Sequence, residues 1–165
     1  MADFKVKYAT SATIAITSLA SLASSTPRTA GAESAAVDNT TNLYDTVLLS
    51  GVIKEGTTPT VSKQIDIWIY CDDGNDVYPD VLDGTDSAET ITSENVRNAG
   101  LTLAKSILVD ATTDRLYYFR GIDVAALFGG TMPRKWGVFI AHDTGVALFA
   151  SGHELRYVGV HYQSV

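Results

Sequence analysis

The sequence predicts an all-β protein, an antiparallel β-sandwich of jelly-roll type with one or two short helical turns. Three observations predict this fold class. Apolar and polar residues alternate with a period of two over several short segments, which places alternate side chains on opposite faces of a sheet. Short stretches rich in Gly, Ser, Thr and Asp separate these segments. All four prolines lie outside them, as strand hydrogen bonding requires.

The strongest strand signal covers residues 65–70, where three isoleucines share one face and Asp66, Trp68 and Tyr70 share the other. A second strand is predicted at residues 44–53. The polar stretch between the two resembles a turn, so we expect them to form a hairpin.

Three segments near the C-terminus predict an antiparallel meander, because only short turns separate them. They cover residues 136–141, 146–150 and 155–163. Further strands are predicted at residues 4–8, 13–19, 101–109 and 115–119. About nine closely spaced strands are typical of a sandwich or barrel.

Helical signals are confined to two short segments. In residues 123–129 the N-cap-type residue Asp123 precedes a few apolar residues and a glycine, and residues 93–100 are expected to form another short turn. With 165 residues the chain fits one domain. We therefore predict a single β-sandwich domain over residues 1–165, with residues 1–38 as an N-terminal arm or edge-strand region.

Composition argues against several classes of function. The net charge of −7 and a pI near 4.7 speak against a nucleic-acid-binding protein, which needs a basic face. Cys71 is the single cysteine, so it cannot form an intramolecular disulfide, and we expect a buried thiol. No run of 18 apolar residues predicts a membrane span. Serines and threonines interrupt the apolar residues that follow Lys5 and Lys7, so we expect no secretory signal.

Acidic residues concentrate between Lys63 and Arg97, a stretch that contains no basic residue. Clustered carboxylates can bind Ca²⁺, and Asp72, Asp73 and Asp76 are the weak candidates. Their spacing does not match an EF-hand loop. A solvated acidic loop is therefore the favoured interpretation, contact with a basic neighbour is the next, and we predict no metal site.

No pattern of catalytic residues emerges from the sequence, so we predict no enzyme activity and no cofactor. The chain has no Gly-x-Ser-x-Gly elbow and no phosphate-binding loop. Aromatic residues opposite the isoleucine face can form either a second packed face or an exposed binding surface. The candidate interface residues are Trp68, Tyr70, Asp80, Asp83 and Asp86.

Residues 39–44, 78–92 and 127–137 resemble segments of small virion proteins of tailed bacteriophages. The resemblance implies a capsid decoration (cement) protein that binds the major capsid protein on the capsid exterior after assembly in the host cytoplasm. It also implies a homo-oligomer, with a trimer as the first expectation and a dimer as the second. It carries no catalytic residue.

Two alternatives to the decoration role stay open. One is a tail, neck or head-fibre component. The other is a carbohydrate-binding β-sandwich module that uses Trp68 and Tyr70, and it predicts an exposed aromatic platform.

Overall fold

A computed structural model describes residues 3–164 of the chain. The strands in chain order are β1 (Phe4–Tyr8), β2 (Ala12–Ile14), β3 (Ala30–Glu33), β4 (Val37–Asp38), β5 (Thr46–Lys54), β6 (Gln64–Cys71), β7 (Ser87–Thr90), β8 (Thr102–Leu108), β9 (Leu116–Asp123), β10 (Lys135–His142) and β11 (Glu154–Ser164). The helices are α1 (Glu94–Gly100) and α2 (Val124–Leu127), and a 3-10 turn covers Thr17–Leu19.

The strands form two antiparallel sheets. The first has the order β1-β11-β5-β9, and β2 also pairs with β11. The second has the order β7-β3-β10-β6-β8, and β4 also pairs with β10. Eight of these strands give the orders β2-β11-β5-β9 and β3-β10-β6-β8, and the chain changes sheet at every step among them except from β6 to β8. This connectivity is that of a jelly roll, so the predicted all-β jelly-roll sandwich is confirmed.

The main core fills the space between the two sheets. Leu49, Ile53 and Leu155 enter it from the first sheet, and each is fully buried. The isoleucines of β6 enter it from the second sheet together with Trp136 and Ile140 of β10. The face that the alternation in residues 65–70 assigned to the isoleucines is therefore the inner face of the second sheet.

A second, smaller core lies on the outer face of the second sheet. The 30 residues between β6 and β8 (residues 72–101, the cover segment) fold over this face. Trp68 and Tyr70 of β6 and Phe139 of β10 project from the sheet, and Leu82 and Ile91 of the cover segment pack on them. The jelly roll is thus thickened on one side only.

The two predicted strand pairings are wrong. Strands β5 and β6 lie in different sheets, so residues 44–53 and 65–70 do not form a hairpin. Strands β10 and β11 also lie in different sheets, and residues 146–150 form no strand, so there is no C-terminal meander. In both cases each strand sends an apolar face into the shared core from the opposite side, and alternation alone cannot distinguish facing strands from paired ones.

The N-terminal region differs in part from the prediction. Residues 4–8 form β1 at an edge of the first sheet, as expected of an edge-strand region. The predicted strand at residues 13–19 ends at Ile14 and continues as the 3-10 turn. Strand β3 lies inside the second sheet because its small side chains allow close approach, and a Cβ atom on Gly31 would lie 2.5 Å from the Phe139 ring.

Candidate interaction surface

The outer face of the first sheet carries two groups of apolar side chains, which are separated by the polar pair of Arg156 and Ser50. Strand register places Val6 opposite Tyr162, and Val158 opposite Leu48, so these side chains share one face. Val52 and Tyr118 form another pair of this kind at the far side of the sheet. We call this surface the bare face; its large apolar residues are Phe4, Val6, Tyr8, Leu48, Val52, Leu116, Tyr118, Val158, Val160 and Tyr162.

Exposure is high over this surface. Six of the twelve exposed large hydrophobic residues among residues 3–164 belong to it, and its four aromatic residues are 57–71% exposed. At roughly 200 Å² per aromatic side chain these four residues alone expose about 500 Å². The largest apolar patch on a typical monomer is about 300–600 Å² in total. The exposed apolar area of the bare face therefore lies at the upper end of what a typical monomer leaves open.

One end of the bare face projects beyond the sandwich. Strand β5 begins at Thr46, opposite Val160, so residues 161–164 of β11 are paired with β1 alone. We call β1 and residues 160–164 the terminal ribbon. Every residue of β1 is exposed, on both faces of the strand. Backbone hydrogen bonds to β11 hold β1 in place, and side-chain burial adds little to them. Isolated two-stranded ribbons are only marginally stable in water.

The other end of the bare face has a more polar character. A bulge in β9 adds one residue opposite Ser50, and Gly121 takes a positive φ of 65° and donates its N–H to Ser50 Oγ. Arg120 lies over the Tyr118 ring at 5.5 Å. A shallow cleft of about 200 Å³ lies here, and Glu154 at its margin forms an ion pair with Arg156.

The aromatic interface candidates are not on the surface. Trp68 is 6% exposed and Tyr70 is fully buried, because the cover segment packs over both rings. Tyr70 Oη donates a hydrogen bond of 2.8 Å to the carbonyl of Ser34. Arg97 of α1 lies 4.6 Å above the Trp68 ring. The prediction that these two residues lie at an interface is therefore corrected. Both belong to the second core, and they form no exposed aromatic platform.

Two of the three weak calcium candidates, Asp72 and Asp76, form ion pairs with basic side chains of the protein. Arg134 Nη2 lies 3.0 Å from Asp72 Oδ2 and 2.7 Å from Asp76 Oδ1, and Lys135 Nζ lies 2.8 Å from Asp76. Burial favours a higher pKa for Asp72, but the hydrogen bonds from Arg134 outweigh it and lower the pKa. Asp73 accepts the N–H of Asn75 within its own loop. Among residues 3–164 no group of three or more His, Cys, Asp or Glu side chains is arranged to hold a metal ion.

The acidic interface candidates fasten the cover segment. Asp80 accepts hydrogen bonds from the backbone N–H and the hydroxyl of Thr92. Asp83 does the same for Thr85 within a tight turn. Asp86 accepts from both donor groups of Thr17 at the start of the 3-10 turn. Of the predicted acidic residues, Asp72 and Asp76 are brought together, because both pair with Arg134.

A buried chain of polar side chains resembles a catalytic arrangement in its distances. Thr144 Oγ1 lies 2.9 Å from His142 Nδ1 and donates to Glu55 Oε1 at 3.1 Å. All three residues are fully buried, so none of them is open to solvent in this structure. Burial raises the pKa of Glu55 and lowers the pKa of His142. His142 Nε2 also lies 3.1 Å from the carbonyl oxygen of Leu22. This row of hydrogen-bonded side chains therefore connects separate segments of the polypeptide at one end of the sandwich.

No helix in the described part of the chain is long and apolar enough to cross a membrane. No family model matches the sequence, and neither a curated protein nor a solved structure matches it. A functional proposal therefore rests on the geometry of the chain and on the resemblance of its sequence segments.

Sequence reasoning missed the bare face, although part of its signal was visible. The alternation of Phe4, Val6 and Tyr8 with Lys5 and Lys7 correctly predicted a strand. It did not show that the apolar side of this strand lies outside the sandwich, because that depends on which sheet the strand joins.

Proposed function

We propose that this protein is a structural component of a phage virion, a capsid decoration protein that binds the major capsid protein on the outside of the shell. The observation that supports an assembly role is the bare face. The chain buries two apolar cores and leaves a third apolar surface open, and exposed patches of this size mark protein-interaction sites.

The virion part of the proposal rests on the sequence resemblance of residues 39–44, 78–92 and 127–137. Jelly rolls occur in viral capsid proteins and in lectins alike, so the fold by itself does not choose between these roles. The carbohydrate-binding alternative needed Trp68 and Tyr70 at the surface, and both are buried. We therefore retain the virion role, with a trimer as the first expected oligomeric state and a dimer as the second.

The first experiment locates the protein. Particles are purified from the virus whose genome encodes this chain, and the protein is identified by mass spectrometry and placed in a cryo-EM map. Density on the outside of the capsid supports the proposal. Density confined to the tail, neck or head fibres favours the alternative virion role, and absence from the particles refutes both.

The second experiment tests the surface. Tyr118→Ser combined with Tyr162→Ser removes two rings from the bare face, and we expect particle loading to fall at least about tenfold. Leu103→Ser is the matched control, because Leu103 is 45% exposed but lies on β8 of the second sheet. Normal loading of the double variant would show that the bare face is not the docking surface.

A further inference from the structure

We propose that the partner binds along β1, by adding an extended acidic segment to the first sheet as a further strand. This inference rests on the proposed assembly role and gives the chemistry of the partner at one edge of the bare face. Strand β1 is the last strand of its sheet, so the backbone N–H and C=O groups on its outer side have no strand partner among residues 3–164. Such an edge is a template for an added strand.

The two faces of the terminal ribbon differ in chemistry. Phe4, Val6 and Tyr8 project to the bare face, and each is at least half exposed. Lys5 and Lys7 project to the opposite face, in register with Gln163 and His161 of β11. An added strand would therefore meet apolar groups on one side and ammonium groups on the other.

A second copy of this chain does not fit that edge. In an antiparallel pair of two β1 strands, the apolar faces match only when residues of the same parity lie opposite each other. Every such register that pairs three or more residues of β1 places Lys5 or Lys7 opposite a lysine of the other copy. With Val6 opposite its own copy, for example, Lys5 faces Lys7 twice. Like charges directly opposite each other destabilise strand pairing, so these lysines oppose self-association along β1.

The same lysines favour an acidic partner. Among residues 3–164 neither Lys5 nor Lys7 forms an ion pair, so both charges are available to a ligand. A strand that alternates acidic and apolar residues would place carboxylates beside the lysines and apolar side chains beside Val6 and its neighbours. Lysine therefore discriminates twice, against a second copy and in favour of an acidic strand.

Peptide binding tests this chemistry directly. The probes are two capped peptides, one alternating glutamate with valine and one alternating lysine with valine, titrated into the full chain and followed by NMR of the backbone amides. We expect the acidic peptide to bind at least about tenfold more tightly and to perturb the amides of Phe4–Tyr8. Lys5→Glu combined with Lys7→Glu should reverse the preference. Lys105→Glu, on the exposed edge strand β8, is the matched control and should leave it unchanged.

A single charge reversal provides a second test. Lys5→Glu places Glu opposite Lys7 in both halves of a β1 pair, so this variant should gain a β1-mediated dimerisation step in analytical ultracentrifugation. The wild-type chain and the double reversal should lack that step. Equal binding of the two peptides, preferential binding to vesicles of phosphatidylcholine and phosphatidylserine, or pairing of wild-type β1 strands would overturn the inference. Wild-type loading onto particles by a chain with reversed β1 charges would refute the inference alone and leave the assembly role standing.

Discussion

The two outer faces of this sandwich carry similar residues, but one face is buried and the other is exposed. The outer face of the second sheet presents Trp68, Tyr70 and Phe139, and the cover segment buries all three. The outer face of the first sheet presents Tyr8, Tyr118 and other large apolar residues, and no segment of comparable length crosses it in the described chain. The difference lies in the connections, since the 30-residue link between β6 and β8 stays on the side of the second sheet.

This comparison shows how an interaction surface can be recognised in a β-sandwich. Aromatic residues on the outer face of a strand indicate that something packs there, but they do not say whether the same chain supplies it. The covered face shows how much local structure that packing requires here, including α1 and several carboxylate caps. The bare face has the side chains without the cover, which is the basis for proposing that a partner binds there.

The largest expected difference between the two faces is in stability. Tyr70→Ala removes a fully buried ring and its hydrogen bond to the Ser34 carbonyl, so we expect it to lower the free energy of unfolding by about 3–5 kcal/mol. Tyr162→Ala on the bare face is the matched control, with an expected change within about 0.5 kcal/mol. Urea unfolding of both variants measures the difference. Equal losses would mean that the bare face is covered in solution by this chain or by another copy.

Two arginine–aromatic pairs give a second contrast. Arg97 is buried over Trp68 and donates hydrogen bonds to the carbonyl oxygens of Pro27 and Arg28. Arg97→Met leaves these acceptors without their donor, so we expect a loss of about 2–3 kcal/mol in urea unfolding. Arg120→Met removes the exposed pair with Tyr118 and should cost less than about 1 kcal/mol. A small effect at Arg97 would show that the cover segment is held mainly by its apolar contacts.

A buried carboxyl beneath the cover segment gives the covered face a pH dependence. Glu33 is fully buried and accepts the N–H groups of Asp83 and Gly84, with the hydroxyl of Tyr70 in hydrogen-bonding reach. Burial raises its pKa above the ordinary value of 4.5 despite these hydrogen bonds. The folded state therefore holds the proton more tightly than the unfolded state. The contribution of Glu33 to stability is complete below pH 4.5 and is lost as the pH rises through the folded-state pKa.

Glu33→Gln keeps an acceptor oxygen for these backbone groups and removes the titration. The free energy of unfolding of the wild-type chain should therefore fall relative to that of Glu33→Gln as the pH rises above 4.5, by at most about 1.4 kcal/mol per pH unit. Denaturant unfolding at several pH values measures this difference, in which the common contribution of Glu55 cancels. A constant difference between the two proteins would show that Glu33 does not titrate abnormally.

Much of the local structure could be predicted from the sequence. Alternation in residues 65–70 gave the strand and the correct facing of its isoleucines, because a period of two is a direct consequence of strand geometry. The N-cap-type residue Asp123 marked α2, and its side chain does accept the N–H of Ala126. Strands β3 and β7 could not be predicted, since their Ala, Gly and Ser residues have low strand propensity and pair only in the tertiary context.

The candidate site was harder to predict than the fold. Trp68 and Tyr70 were suitable aromatic residues for an interface, but their exposure depends on the path of the cover segment, which is a long-range property. The predicted acidic loop is rich in carboxylates because backbone N–H groups and hydroxyls need acceptors where the chain turns, as at Asp80 and Asp83. Composition alone does not distinguish such capping residues from ligands.

The smallest of these expected effects concerns the edge of the cover segment. Asp86 Oδ2 accepts the N–H of Thr17 at 2.6 Å and its hydroxyl at 2.7 Å, which ties the cover segment to the 3-10 turn of the N-terminal region. Asp86→Ala should cost about 1 kcal/mol at neutral pH, as loss of a capping carboxylate does. Burial opposes ionisation, but the hydrogen bonds from Thr17 outweigh it and lower the pKa of Asp86, so this contribution should disappear as the pH falls below 3.8. Glu89→Ala on β7 is the control and should change stability by less than about 0.5 kcal/mol. If Asp86→Ala instead costs as much as Tyr70→Ala, the cover segment depends on its attachment at this edge rather than on its apolar contacts, and the contrast between the two faces is one of tethering rather than of packing.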